Sequence, residues 1–322
     1  ALENVFGVDL SAIVKDTFRE YIWAGPIKER EYFCFGDSGG HLNPVTNWAW
    51  LLPKYRDPML AWLYAFRLDG ELESNTKASM TGYMNLINKK NETFMDVLYE
   101  TDGFDEQPPW EMNPVKCFRD VGTTVFKSGW DGDDFIFVMR TGPFYNHQHL
   151  DQGTFWLADR GRTFITERTG SSYYDDPLYQ PSFIQPVAHS TILIDGNPQS
   201  QRTGDHRDFA AGFDDHAVIA QFLDGRFASF VSGDIGRLYW DTVRHMSRNV
   251  LYLKPRTLVM IDRIDPGERD VSATLLYQAP RLDGITANAE ESRITVDGAT
   301  LHIRHLTPGV DAEAVETPHY LY

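Results

Sequence analysis

Cysteine and long apolar runs are scarce in this sequence. It has two cysteines among 322 residues, Cys34 and Cys117, without metal-binding spacing. No apolar run approaches the roughly 20 residues that a membrane-spanning helix needs, and the N-terminus lacks the basic and then apolar pattern of a signal peptide. These absences exclude a small disulfide scaffold and a membrane-spanning protein, and they predict a soluble globular chain.

Positive charge is scarce as well. The 30 lysines and arginines are outnumbered by 46 aspartates and glutamates, which gives a formal net charge of −16. This balance argues against a nucleic-acid partner bound through a broad basic surface, so any anionic ligand must be held by local positive groups. The 42% of hydrophobic residues excludes disorder and is enough for the cores of about two domains.

Helical signals dominate residues 1–112. Ser11 is placed to cap an amphipathic run, and Asn43-Pro44 and Asp57-Pro58 each set a capping side chain before a proline at the first helical position. We therefore predict paired helices with short connections in this part.

Residues 113–322 instead show short β-rich runs separated by turn signals. No helix-length pattern interrupts them, so an antiparallel β-sandwich is favoured over a parallel sheet. The predicted fold class is α+β multidomain, with a helical N-terminal part followed by the sandwich. The predicted strands are Thr123–Lys127, Phe135–Arg140, Thr154–Ala158, Thr163–Glu167, Thr191–Asp195, Val218–Phe222, Ala228–Val231, Leu258–Ile261 and Val271–Tyr277.

One short motif points to a function that the rest of the chain opposes. The run Gly36-Asp37-Ser38-Gly39-Gly40 looks like the nucleophile segment of chymotrypsin-like serine proteases. In that family the catalytic His and Asp precede the Ser, whereas no histidine precedes Ser38 here. We interpret the run as a structural turn.

Histidines and acids gather between residues 147 and 189. If residues 147–151 end a strand, alternation directs His147, His149 and Asp151 to one face. Imidazole nitrogens and carboxylate oxygens suit Zn²⁺. A cupin-type oxygenase also uses His-x-His, but it needs a Glu four or five residues later, where this chain has Gly153 and Thr154. The sequence therefore predicts a metal or catalytic site in the β-rich part.

The segment from Phe135 to Gly196 resembles the heparinase II/III-like polysaccharide lyases. That superfamily carries a His-x-His-x-Asp segment, a hairpin followed by an acid, a Tyr-rich loop and an Ala-His-Asn-Thr-like strand that ends in Asp-Gly. The corresponding pieces here are His147–Asp151, Arg160-Gly161 to Glu167, Tyr173–Tyr179 and His189 to Asp195-Gly196. The resemblance extends to the helical part, which is similar to the end of that family's α/α toroid.

The resemblance implies a role for each of these side chains. His149, Glu167 and His189 would hold a metal, commonly zinc, with a structural role, although the family more often has Asp at the position of Glu167. His147 would face the substrate, and Tyr174 would be the catalytic tyrosine, with Tyr179 as the competing choice.

The implied reaction is β-elimination on a uronate polymer. Negative charge that builds on the substrate carboxylate must be neutralised by preorganised donors, and His147 and Arg140 suit that task. The expected partner is an anionic polysaccharide, with alginate preferred and a glycosaminoglycan second, because no Lys/Arg-rich cluster suited to dense sulfate is present. A secreted or periplasmic protein is expected.

A second interpretation stays open. In these lyases an Asn or His and a further Tyr from the upstream toroid complete the site, but His41 is the only histidine before His147. The chain also begins Ala1-Leu2-Glu3 without an initiator Met. We therefore expect either an upstream segment that completes the toroid or a non-catalytic carbohydrate-binding or scaffold fragment.

Overall fold

The structure is a computed structural model, and it divides the chain into two compact units. One unit comprises Ala1–Tyr32 and His41–Asn113, and the other comprises Phe33–Gly40 and Pro114–Tyr322. The residues that it describes are 7–9, 11–24, 33, 35, 48, 50–64, 103–130, 132–144, 149–167, 175–202, 216–239 and 241–315.

The predicted fold class, α+β with a toroid-like helical part, is wrong for the residues described. These are mostly β, and the helices of the first unit are short: Ser11–Val14, Arg19–Ala24, Leu52–Tyr55 and residues 58–64. Within the described ranges they form no helical toroid, and none is long and apolar enough to cross a membrane. The predicted Asn43-Pro44 helix start lies outside the described residues.

Local side chains explain why the first predicted helix breaks. The Thr17 hydroxyl donates to the Val14 carbonyl at 2.8 Å, and the Thr17 N–H binds the same oxygen at 3.1 Å. Such local bonds compete with the helical ladder, so a turn separates the two short helices. Ser11, the predicted cap, is instead the first residue of the helix, and the Asp9 carboxylate accepts the Ser11 N–H at 2.9 Å.

The Asp57-Pro58 signal does begin a helix. The Asp57 carboxylate accepts the N–H groups of Met59 at 2.9 Å and of Leu60 at 3.1 Å. These bonds satisfy backbone donors that the first helical turn leaves free. The buried side chains of Leu60 and Leu63 then pack this helix into the first unit.

The second unit consists of antiparallel sheets. Strands β1 to β5 form a five-stranded sheet in chain order, β7 to β10 form a four-stranded sheet, β6 pairs with β11, and β12 to β14 form a three-stranded sheet. Their bounds are β1 Lys116–Phe118, β2 Thr123–Lys127, β3 Phe135–Arg140, β4 Phe155–Asp159, β5 Arg162–Ile165, β6 Ile192–Ile194, β7 Val218–Asp224, β8 Ala228–Asp234, β9 His245–Leu253, β10 Thr257–Asp265, β11 Ala273–Leu275, β12 Ile285–Ala287, β13 Glu291–Val296 and β14 Ala299–Arg304.

The two larger sheets share one hydrophobic core. Phe126 and Phe135 of the five-stranded sheet stack on Tyr252 of β9, each with ring centroids 5.4 Å apart. Along β8 half-buried and buried residues alternate, as expected when one face of a strand is turned towards a core. Apolar burial between these sheets is thus the main stabilising contribution that holds β9 against β4.

A tight hairpin places the end of β5 beside the start of β4. Arg160 and Gly161 connect these strands with φ angles of 51° and 70°. Two successive positive φ values match the right-handed twist of a two-residue hairpin. The chain therefore returns directly along β4 and carries Glu167 back to the turn from which β4 begins.

Candidate functional site

The candidate site begins in the turn before β4. Residues 149–153 form bends and turns rather than a strand end, so the alternation expected for His149 and Asp151 does not apply. Gly153 has a φ of +80°, a conformation that favours glycine, and it leads into β4. His149 and Asp151 are both buried, with 1% exposure each.

Glu167 lies two residues beyond β5 and is tied to this turn by Thr154. The Thr154 hydroxyl donates to Oε1 of Glu167 and accepts the Ser190 N–H at 3.0 Å. All three residues are buried. One hydroxyl thus joins the acid to the segment that carries His189.

His189 completes the cluster between a 3-10 turn, Pro186–Ala188, and strand β6. Its Nδ1 hydrogen-bonds to Oε2 of Glu167. The His149 and His189 rings lie with centroids 5.1 Å apart. The three predicted metal ligands therefore meet in one buried place, although they come from three separate segments.

The hydrogen bonding of this cluster is incomplete. Both ring nitrogens of His149 and Nε2 of His189 are buried without a hydrogen-bond partner. Buried polar groups are rarely left in this state, and a cation, like an N–H or O–H donor, can satisfy the lone-pair nitrogen of a neutral imidazole. Among the described residues, however, no group of three or more His, Cys, Asp or Glu side chains is arranged as a metal site.

The electrostatics of the cluster keep one imidazole neutral and favour a proton on the Glu167–His189 pair. Burial, aided by His189 and Arg140, lowers the pKa of His149 to about 2, so its imidazole is neutral. Burial raises the pKa of Glu167. Burial also opposes the charged form of His189, but the Glu167 carboxylate outweighs it and raises the pKa of His189. Glu167 and His189 therefore hold a proton between them, which a cation would displace.

Arg140 ends β3 beside this cluster. Its Nε donates to Oδ1 of Asp151 at 3.3 Å, and Nη2 donates to the Pro143 carbonyl at 3.3 Å. Gln152 donates to the same aspartate oxygen at 3.2 Å, while Oδ2 of Asp151 is buried without a partner. The Arg140 side chain keeps 14% of its surface exposed, so it remains a positive group at the edge of the site.

A buried amide network that the sequence did not suggest holds the turn to β6. The Gln201 side chain donates to the Gln152 carbonyl at 2.7 Å and accepts the Gln152 N–H at 3.0 Å. The Thr191 hydroxyl also donates to the Gln152 carbonyl, at 2.6 Å. No local sequence signal marks these residues, because their partners are distant in the chain.

The two principal catalytic candidates, His147 and Tyr174, lie outside the described residues. The competing tyrosine, Tyr179, begins a π-helical turn, Tyr179–Phe183, and is 4% exposed. Its ring meets the His149 ring edge-on with centroids 6.2 Å apart. Tyr179 is therefore packed beside a predicted metal ligand.

Comparison with known proteins gives one family and a set of related folds. Residues 112–316 match the family model described as Heparinase II/III-like, C-terminal. No curated protein matches the chain by sequence.

Solved structures share the fold at low sequence identity. The heparan sulfate lyase HepC from Pedobacter heparinus is 18% identical with a TM-score of 0.62, and the match covers 93% of this chain and 40% of that one. A structure of heparinase III is 13% identical with a TM-score of 0.57, covering 90% of this chain and 40% of that one. The chain thus spans less than half the length of these proteins.

Proposed function

Because this chain belongs to the heparinase II/III-like family, we propose that it cleaves an anionic, uronic-acid-containing polysaccharide as a polysaccharide lyase. The observation that carries the proposal is the buried cluster of His149, Glu167 and His189, which lies within the part of the chain that matches the family model.

The proposal includes a divalent cation, with zinc as the first choice, held by these three residues. Two imidazoles and one carboxylate form a donor set that suits zinc, and the unpartnered nitrogens of His149 support it. The cation would be structural and would fix the segments that precede β4 and β6. Ordering these segments would in turn restrict the chain between Glu167 and His189, which includes Tyr174.

The reaction proposed is β-elimination at the uronic acid. A base removes the proton on C5, the electron pair forms the C4–C5 double bond, and the C4–O bond breaks as the leaving oxygen is protonated. We assign His147 and Arg140 to the substrate carboxylate, where they would stabilise developing negative charge. We assign Tyr174 to proton transfer, because a tyrosine placed close to cationic groups has its phenolate favoured and can then act as base or acid.

For the substrate, we propose a glycosaminoglycan of the heparan sulfate type in place of the alginate preferred from sequence. The support is that the similar solved structures are named as a heparan sulfate lyase and as heparinase III. The same proposal includes a secreted or periplasmic location, where such a polymer is accessible.

The experiment is a lyase assay on heparan sulfate, chondroitin sulfate, hyaluronan and alginate, followed by the absorbance of the new double bond. We expect product from heparan sulfate and its loss in His147→Ala. The matched control is His302→Ala, which changes a 57% exposed histidine on β14 and should leave the rate unchanged. Absence of cleavage of all four polymers by the full-length protein would refute the lyase proposal.

A second candidate is a carbohydrate-binding or scaffold function without catalysis. It is favoured by the coverage of only 40% of the related structures. Retention of heparan sulfate on an affinity column without any cleavage would support this candidate, and cleavage by this chain alone would exclude it.

A further inference from the structure

A fully buried arginine connects the second large sheet to the candidate site. Arg248 lies on β9, opposite Asp262 of β10 in the strand register, and it has no exposed surface. Its Nε and Nη2 donate to the two carboxylate oxygens of Asp262 at 2.8 and 3.0 Å. This bidentate pair fixes the orientation of the guanidinium plane.

The remaining arm of the guanidinium reaches the site. Nη1 of Arg248 donates to the Gly153 carbonyl at 2.6 Å and to the Ser190 carbonyl at 2.9 Å. Gly153 directly precedes Thr154, the residue that binds Glu167, and Ser190 directly follows His189. One nitrogen atom therefore fixes the backbone of the two histidine-bearing segments of the cluster, those of His149 and His189.

Burial makes this arrangement demanding. A guanidinium removed from water is stable only when its charge and its N–H groups are matched, and here one carboxylate and two carbonyls match them. Burial opposes its charge, but Asp262 outweighs burial and raises the pKa of Arg248, so the group stays charged. The Phe155 ring lies against it, with Cζ 5.7 Å from the ring centroid.

We propose that Arg248 is a positioning residue that sets the separation of the two histidine-bearing segments, and so determines the cation affinity of the site. The inference deepens the proposed function and rests on it for the cation. Lysine should not replace arginine here, because a single ammonium lacks the planar fork that binds Asp262 and both carbonyls together.

The test compares Arg248→Lys with Val250→Ala in the full chain. Val250 lies two residues further along β9, is buried in the core and has no part in the cluster, so its truncation controls for a general loss of stability. Protein stripped with a chelator is titrated with zinc chloride by calorimetry. We expect zinc binding to weaken about 10-fold or more in Arg248→Lys, which is typical when a residue that supports metal ligands is lost. In Val250→Ala we expect a weakening of less than about twofold.

Hydrogen exchange separates this inference from the cation proposal. In metal-free protein, peptides covering residues 149–155 and 186–194 should exchange faster in Arg248→Lys than in Val250→Ala. If wild-type protein binds no zinc, the cation proposal fails, and the exchange result alone decides on Arg248. Equal exchange in the two variants, with equal zinc affinity wherever zinc binds, would overturn the positioning role.

Discussion

The Thr154 hydroxyl offers a quantitative test of the cluster as described. It donates to Oε1 of Glu167 and accepts the Ser190 N–H, all within buried surroundings. Replacing it by the isosteric valine leaves one buried acceptor and one buried donor unpaired. Each unpaired group costs about 1–3 kcal/mol, so Thr154→Val should lower the free energy of unfolding by about 3 kcal/mol.

The matched variant is Thr154→Ser, which keeps the hydroxyl and removes one methyl group. We expect it to lose about 1 kcal/mol. Calorimetric melting in chelator separates the two effects, since 1 kcal/mol corresponds to about 2–4 °C for a domain of this size. Thr154→Val should thus melt about 6–12 °C below wild type, and Thr154→Ser about 2–4 °C below. Equal melting of valine and serine variants would refute the bridging role of the hydroxyl.

Two further predictions concern other parts of the second unit. Burial lowers the pKa of Lys127 from 10.5 to about 8, so the folded state loses this proton before the unfolded state does. The free energy of unfolding should therefore rise between about pH 8 and 10.5, by about 3 kcal/mol relative to Lys127→Met. Denaturant titrations in which wild type and Lys127→Met change in parallel over this pH range would contradict the prediction. Gly153→Ala should cost about 1 kcal/mol more than Gly298→Ala, as measured by urea denaturation. Both glycines have positive φ, but an added Cβ lies 3.2 Å from Ile235 Cδ1 at Gly153 and meets nothing at Gly298, so equal costs would refute the packing argument.

Local sequence patterns predicted the strands whose own residues favour a buried extended chain. Thr123–Lys127 and Phe135–Arg140 occur with the predicted bounds, because continuous runs of β-branched and aromatic residues suit buried strands. Strand β9 was missed, since its first half is polar and becomes buried only through contacts with distant residues. The helical signals of the first unit were overestimated, because local hydrogen bonds such as that of Thr17 end the helix early.

The candidate site, like the fold, could be predicted only in part from the sequence. The sequence resemblance selected His149, Glu167 and His189, which the structure brings together, whereas the strand alternation proposed for His149 and Asp151 is absent. The supporting residue Arg248 could not be predicted. Its partners Gly153 and Ser190 lie far from it in the chain and meet it only when the two sheets pack.

The central claim is that His149, Glu167 and His189 hold a cation, and metal analysis of two histidine variants tests it most directly. After dialysis against zinc and removal of the excess, wild type should retain about one equivalent per chain, His147→Ala should retain the same, and His149→Ala should retain none. His149→Ala should also lose the thermal stabilisation by zinc, because binding to the native state adds to folding free energy. Full zinc content in His149→Ala, or none in wild type, would contradict the account.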